Sequence, residues 1–344
     1  MHKKFPSIEQ FKNVIRNVKY SHSFRGFDNV GEPIHDFTTE LPTLRFEGTV
    51  KLHGTNAAVV LFPNGGYHCQ GRNRVVSLTD DNAGFAAYVH TSKVYEELRN
   101  SFTENGFTDC TISIYGEWCG GNIQKGVALN GLQKMFVIFA IRIDDHHDDS
   151  MEWITPKGMF NEEKLKEKNC YLIDSFKTYS IDINFNHPEL VQNEIISLTE
   201  QVENECPVGK AFGVSGIGEG IVWKCVDIPF PDYWFKVKGE KHSVSKVKTL
   251  ASVDTEKVNS IIEFSEKVVT ENRLNQGIEY LKEMGKPIDM KSTGDFIRWV
   301  FNDVMKEEID TIVESGLDVA DIGKYIAEPS KRFWFKFLKE SENV

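Results

Sequence analysis

Lys51 is the first residue of this sequence with a setting suited to covalent chemistry. It stands three residues before a glycine in Val50-Lys51-Leu52-His53-Gly54-Thr55-Asn56, and an apolar, β-like run follows. A lysine at a strand end, ahead of a glycine turn, projects into a cleft. It attacks an electrophile only without its proton. Because a free lysine titrates near about 10.4, the site must lower that value through neighbouring cations and partial desolvation. A second segment, Trp234-Phe235-Lys236-Val237-Lys238, carries two lysines at strand spacing. Alternation puts both on one face and Val237 on the other, an arrangement suited to a chain of phosphates. Two other phosphate devices are excluded. Gly213, Gly216 and Gly218 fail the dinucleotide fingerprint because Ile221 stands where the last glycine is needed, and no Gly-x-x-x-x-Gly-Lys-Ser/Thr occurs.

Lys-x-x-Gly-x-Asn resembles motif I of the covalent nucleotidyltransferases, the superfamily of polynucleotide ligases and mRNA capping enzymes. The form Lys-x-His-Gly-Thr-Asn is similar to that of the T4 RNA ligase 2 family. Five more segments resemble that family's motifs in the same order. They are Cys69-Gln70-Gly71-Arg72-Asn73-Arg74, Ile114-Tyr115-Gly116-Glu117-Trp118, Phe136-Val137-Ile138-Phe139-Ala140, Gly218-Glu219-Gly220-Ile221-Val222-Trp223-Lys224 and the lysine strand. The likeness extends to Val269-Thr270-Glu271-Asn272-Arg273-Leu274-Asn275. It implies that Lys51 forms a covalent bond to AMP and that Glu117 holds the ribose hydroxyls. Phe139 would stack on adenine, since every base offers a π-face. Arg72 would meet the nucleotide or an RNA 5′-phosphate, with Arg74 as the other candidate. Glu219 would help hold Mg²⁺ or Mn²⁺, directly or through water, because a carboxylate facing phosphate needs a cation between them. Lys224 would meet phosphate. Lys236 and Lys238 would bind the triphosphate and stabilise charge on the α-phosphate. Asn56 joins this nucleotide set, and His53 would orient phosphate or metal-bound water. Val50 stands where the family member has Glu, so the adenine amino group would be read by a main-chain carbonyl or another side chain. Ala140 stands where relatives often carry Asp.

The elements that position these groups change texture near residue 250. Before it, short Val, Ile, Phe and Tyr runs at 57–62, 111–115, 136–143 and 221–224 read as strands, with a hairpin turn at Pro63-Asn64-Gly65-Gly66 and helix across 85–100. After it, Val258, Ile261, Ile262, Val268 and Val269 recur at helical spacing, with Asp254 as the expected N-cap. A helix carrying Phe296, Val300, Val304, Ile309 and Ile312 is expected from about 293, then two shorter ones at 319–327 and 330–339. The expected architecture is α+β: a nucleotidyltransferase (ATP-grasp-like) domain of antiparallel sheets with helices over 1–248, and an all-helical C-terminal domain over 249–344. The join falls near 246–252.

Composition bounds the partners. With 344 residues, 40% hydrophobic content and 24 Phe, two domains with substantial cores are expected. A net charge of −11 excludes coating nucleic acid by bulk charge, so any RNA contact needs a local basic patch. The run from Lys236 through Lys241, Lys246 and Lys248 is that candidate, with Arg74. Lys331-Arg332-Phe333-Trp334-Phe335-Lys336 reads as a helix packed by its aromatics. Asp144-Asp145-His146-His147-Asp148-Asp149 reads as a solvated hairpin loop rather than a metal site. Six scattered cysteines without Cys-x-x-Cys, and apolar runs far shorter than the roughly 20 residues of a membrane span, point to a reduced intracellular protein with no membrane partner. The reading is an ATP-dependent RNA ligase that seals 3′-OH/5′-phosphate nicks in duplex RNA. It would be a cytoplasmic monomer, virus-encoded or acting in a host cytoplasm. The alternatives are a DNA ligase, a GTP-using capping enzyme, or a non-catalytic RNA-binding protein on a ligase scaffold.

Overall fold

Short apolar runs punctuated by glycine, asparagine and aspartate build two large sheets and a two-stranded one in the first 239 residues, and helical periodicity takes over beyond them. A computed structural model describes residues 2–36, 39–148, 150–186, 188–242 and 257–341. The chain opens with α1 (Phe11–Ser23) and the hairpin β1 (Phe24–Phe27) and β2 (Pro33–His35). Then come β3 (Thr43–Lys51), β4 (Thr55–Leu61), β5 (Tyr67–Gly71), β6 (Val75–Val76), α2 (Phe85–Ser92), α3 (Val94–Glu104), β7 (Cys110–Cys119), β8 (Met135–Asp145) and β9 (Met151–Ile154). α4 (Glu162–Lys166), β10 (Cys170–Leu172), β11 (Thr178–Asn184), α5 (Gln192–Asn204), α6 (Pro207–Ala211), β12 (Gly220–Cys225) and β13 (Trp234–Lys238) follow. The last four helices are α7 (Lys257–Val268), α8 (Glu271–Glu283), α9 (Thr293–Glu314) and α10 (Val319–Ser341).

One sheet has seven strands, ordered β10-β8-β7-β4-β5-β6 with β9 added to β8. The other has four, ordered β11-β3-β12-β13. All pairings are antiparallel except β10 with β8. The hairpin at 62–66 closes as its sequence predicts, with Gly65 at positive φ and Phe62 N–H bonded to Gly66 O. The helical stretch at 85–100 is broken at Lys93, whose φ of 55° is left-handed, giving α2 and α3. Their apolar sides cover one face of the seven-stranded sheet, where Ala57, Val59, Ile112, Ile114, Phe136 and Ile141 are buried. The four-stranded sheet buries Phe46, Val50, Ile221, Trp223 and Phe235 with Val14 and Val18 of α1 and Ile195 and Val202 of α5.

The chain divides into two compact units, 1–239 and 240–344. The expected join at 246–252 and the Asp254 cap lie outside the described residues. In the second unit Phe296, Val300, Val304 and Ile312 face the core, but Ile309 is exposed and Glu308 is buried instead. Glu308 belongs to an ionic group around the fully buried Arg273, which donates to Asp303 at 2.9 Å and to Val268 O at 2.6 Å. α10 corrects a second expectation: it is one helix running through Pro329, not two. The proline forgoes one backbone hydrogen bond, and the apolar face of Ile322, Ile326, Trp334 and Leu338 keeps the helix continuous. All six cysteines are free and buried. No helix among the described residues is long and apolar enough to cross a membrane.

Candidate active site

β3, β12 and β13 present their alternate residues on the face opposite the α1–α5 core. Strand register sorts these into rows. Lys51 pairs with Gly220, and Gly220 pairs with Lys238. The next row is Thr49, Val222 and Lys236, and the third is Glu47, Lys224 and Trp234. The expected common face of Lys236 and Lys238 is therefore observed, and it is also the face of Lys51. Val50 points the other way, only 3% exposed within the core, which leaves only its main chain for a ligand.

Glu219, immediately before β12, gathers the first row. Its Oε2 lies 2.7 Å from Lys51 Nζ and 3.5 Å from His53 Nδ1, and its Oε1 lies 3.2 Å from Lys238 Nζ. The carboxylate is 4% exposed. Burial, the largest single influence, pushes its pKa up. Lys51, Lys238 and His53 overcome it and hold the group well below the usual carboxylate range. A permanently ionised carboxylate ringed by cations is a poor proton acceptor and a good partner for a metal.

Lys51 is tied to the other sheet by the turn that follows it. Gly54 N–H donates to Glu117 Oε1 on β7 at 2.9 Å, Gln124 Nε2 donates to Gly54 O at 3.4 Å, and Asn82 Nδ2 donates to Thr55 Oγ1 at 2.9 Å. A Cβ on Gly54 would stand 2.4 Å from Trp118 O. The motif thus requires glycine for close approach of two backbones. In the seven-stranded sheet, Asn56 and Glu117 pair directly. Arg72 follows Gly71, the partner of Ala57, so it continues toward the same row.

Phe139 reaches the site through a β-bulge. Tyr115 pairs with Ala140 and Gly116 with Ile138, leaving Phe139 as the extra residue. Ile138 and Ile141 both face the α2–α3 core, while Phe139 and Ala140 turn the other way. A bulge re-aims a side chain in this manner. The bulge carbonyl, Phe139 O, accepts a hydrogen bond from Lys224 Nζ, which also lies 4.8 Å from the Trp234 ring centroid. Lys224 is thus two rows from Lys51, about 13 Å along the strand, and is engaged with the base-stacking candidate. Its amine lies at the bulge rather than in the Lys51–Glu219–Lys238 group. Burial pushes the Lys224 amine down to about 8, while Asp174 pulls it back up. A base whose pKa falls on folding costs stability while charged in both states, and the cost is relieved as pH rises past the folded value. The stability of the wild type relative to Lys224→Met is expected to rise between about pH 8 and about pH 10, by up to about 3 kcal/mol, in urea unfolding. A flat difference across that window would mean the amine is solvated.

Several contributors carry no sequence signal. Residues 2–9 bridge both sheets. Lys3 exchanges hydrogen bonds with Gln70, and Tyr115 OH donates to Lys3 O. Phe5 packs 5.1 Å from Phe139 and 5.0 Å from Tyr115. Glu9 brackets Phe235: its N–H donates to Trp234 O, and its carbonyl accepts from Lys236 N–H. Asp174 acts on Lys224, and the Asn73 amide nitrogen is buried without a partner among the described residues. The arginine turn around it hinted only at Arg72 and Arg74. Arg74 is in an ion pair with Asp80 at 2.6 Å. Lys241 is exposed in the second unit, and Lys246 and Lys248 lie outside the described residues. In the loop at 144–148, Asp149 lying outside the described residues, no metal-ligating group of three is formed. Asp144 pairs with Lys3 and Arg142, and no group of three metal-ligating side chains occurs among the described residues.

Glu219 offers an oxygen donor to a divalent ion at the lysine cluster. Hard Mg²⁺- or Mn²⁺-type ions suit such a site, because they take one or two carboxylates and complete their shell with water and substrate phosphate.

A family model described as RNA ligase matches residues 44–238, from the second residue of β3 to the last of β13. No curated protein matches the chain. Solved structures similar to it include a Naegleria gruberi RNA ligase variant with AMP and Mn, at 19% identity over 70% of this chain and 57% of that one, with a TM-score of 0.44. The same ligase with pyrophosphate gives 19% identity, 70% and 57% coverage, and a TM-score of 0.44. The chain thus spans less than two thirds of the length of these structures.

Proposed function

The chain belongs to the RNA ligase family, which matches more than half of it, and on that premise we propose that it is an ATP-dependent RNA ligase working through a lysyl-AMP on Lys51. The observation that carries the reading is the row Lys51–Gly220–Lys238 closed by one buried carboxylate, Glu219. It sets a nucleophile, a phosphate-binding cation and a metal-type donor within one hydrogen-bonded group.

In the resting arrangement Glu219 Oε2 lies 2.7 Å from Lys51 Nζ. A divalent cation, which Glu219 would help hold, would supply positive charge to the α-phosphate. To react, Lys51 gives up its proton to solvent, with Lys238 as the neighbouring cation. Its nitrogen lone pair then attacks the α-phosphorus, the bond to the β-phosphate oxygen breaks, and pyrophosphate leaves. Lys236 and Lys238 offset the charge that builds on the phosphate oxygens. An RNA 5′-phosphate oxygen next attacks the same phosphorus. The P–N bond breaks, and Lys51 recovers a proton. Finally a 3′-OH attacks the RNA 5′-phosphorus, loses its proton, and AMP leaves. All three are displacements at phosphorus in which positioning supplies most of the rate.

The base lies at the other end of the sheet face, against Phe139, with Val222 in the middle row. Lys224 then acts on the base pocket by holding the bulge carbonyl behind Phe139. Glu117 takes the ribose hydroxyls, beside Asn56, and His53 orients phosphate at the lysine end. Arg72 and, on release from Asp80, Arg74 meet the RNA 5′-phosphate. Lys241, Lys246 and Lys248 add contacts to the duplex. The substrate is nicked duplex RNA with 3′-OH and 5′-phosphate ends, sealed by a cytoplasmic monomer.

Incubation with Mg²⁺ and α-phosphate-labelled ATP, then a denaturing gel, tests this. An ATP-specific label is expected, absent from Lys51→Ala. A label from GTP would move the chain to the capping reaction. No label with either nucleotide, from folded protein whose intact mass shows no AMP already attached, would leave an RNA-binding scaffold.

A further inference from the structure

The strongest basic feature of this acidic chain outside the site is α1. Its thirteen residues hold Lys12, Arg16 and Lys19 and no acidic residue. At 3.6 residues per turn these three fall within an arc of about 60°. All three are exposed, while Val14 and Val18 face the core. The stripe starts beside the lysine strand, because Glu9, just before α1, is bonded to Trp234 and Lys236, and Phe11 lies 4.9 Å from Phe235. From there the helix runs about 20 Å.

At its far end the stripe meets aromatic rings. Tyr20 lies 4.8 Å from His35, His35 lies 5.9 Å from Phe24, and Phe24 lies 5.2 Å from Phe27. Tyr20, Phe24 and Phe27 are 53%, 39% and 67% exposed. Exposed rings of this size in contact with one another mark an interaction surface. Of the three acidic residues at 24–36, Glu32 is exposed and two are engaged locally. Asp28 accepts from the N–H groups of Val30 and Glu32, and Asp36 faces Arg25 at 3.8 Å.

We propose that α1 and the β1–β2 hairpin form a track for unpaired RNA, in which Lys12, Arg16 and Lys19 follow the phosphates and Tyr20, Phe24 and Phe27 stack on bases. This rests on the reading of the chain as an RNA ligase and extends it to RNA flanking the site of joining. Charge complementarity selects a polyanion. Exposed ring faces select unstacked bases over a duplex, whose bases are already stacked.

Fluorescence anisotropy on the full chain tests it, with a short single-stranded RNA and the same sequence as duplex. Lys12→Ala, Arg16→Ala and Lys19→Ala combined should weaken single-strand binding and lower the slope of log affinity against log salt by about 2. Phe24→Ala with Phe27→Ala should weaken it about tenfold with the slope unchanged. Both variants should still form lysyl-AMP at the wild-type rate, which also shows that they fold. Equal affinities of wild type and variants for the single strand would overturn the proposal, as would equal losses on duplex. RNA binding that survives in the ring variant, while self-association of the wild type is lost, would give the surface to a second copy of the chain. Failure of the wild type to form lysyl-AMP would instead remove the ligase reading, and the anisotropy would still report on the track.

Discussion

Glu219→Gln is expected to destabilise the first unit by about 3 kcal/mol and to slow lysyl-AMP formation at least about a hundredfold. The buried carboxylate faces Lys51 at 2.7 Å, Lys238 at 3.2 Å and His53 at 3.5 Å. Glutamine keeps the shape and removes the charge, so two ammonium groups are left in one pocket without a counter-ion. Breaking one side of a buried ion pair costs more than the pair contributes, because the remaining charge has lost its solvent as well as its partner. Lys51 and Lys238 keep 22% and 16% of their exposure, which places the cost at the low end of the usual range. The effect on rate has a separate origin, since the amide no longer draws a divalent ion to the α-phosphate. The two effects separate in a Mn²⁺ titration. Stabilising conditions should restore folding of Glu219→Gln, while the metal concentration for half-maximal labelling stays raised. Wild-type labelling at wild-type metal concentration would show that Glu219 only braces the lysines.

The parts of this site that were legible in the sequence are those set by strand alternation. Lys236 and Lys238 share a face because the period is two, and Lys51 ends a strand ahead of a glycine turn. The pairing of Lys51 with Glu219, 168 residues on, follows from the β3–β12 register, which motif order alone does not supply. The segment 135–141 is apolar throughout, so alternation cannot reveal that Phe139 is a bulge, and the place of Lys224 depends on that bulge. Asp174 and the strap at 2–9 act across sheets and leave no local pattern. In the helical unit, period predicted the core of α9 but not Glu308, which is buried to serve Arg273. The two helices expected at 319–327 and 330–339 are one, because the packing of α10 carries it through Pro329. In each case a contact between distant elements outweighs a local rule.

Gly220→Ala should be the most damaging single methyl in the site, for a reason of the same kind. Gly220 pairs with Lys51 on one side and Lys238 on the other, at φ +150°. A Cβ there would lie 2.1 Å from Val237 O and 2.9 Å from Lys238 Cα. Both are backbone atoms of β13, so no rotamer change relieves the clash. β13 must move away from β12, which takes Lys238 off Glu219. A loss of about 3 kcal/mol or more in urea unfolding is expected, together with loss of lysyl-AMP formation by the fraction that remains folded. Gly213→Ala separates sterics from backbone preference. Gly213 also has a positive φ, +74°, but nothing lies within 4 Å of its Cβ position. Its substitution should cost about 1–2 kcal/mol, the ordinary left-handed penalty, and leave labelling intact. Equal losses in the two variants would mean that φ alone governs Gly220. Full labelling by Gly220→Ala would mean that Lys238 need not sit in the row of Lys51. Tight approach of three backbones at Gly220 is what holds nucleophile, carboxylate and phosphate-binding lysine in register, and a single methyl group is enough to test it.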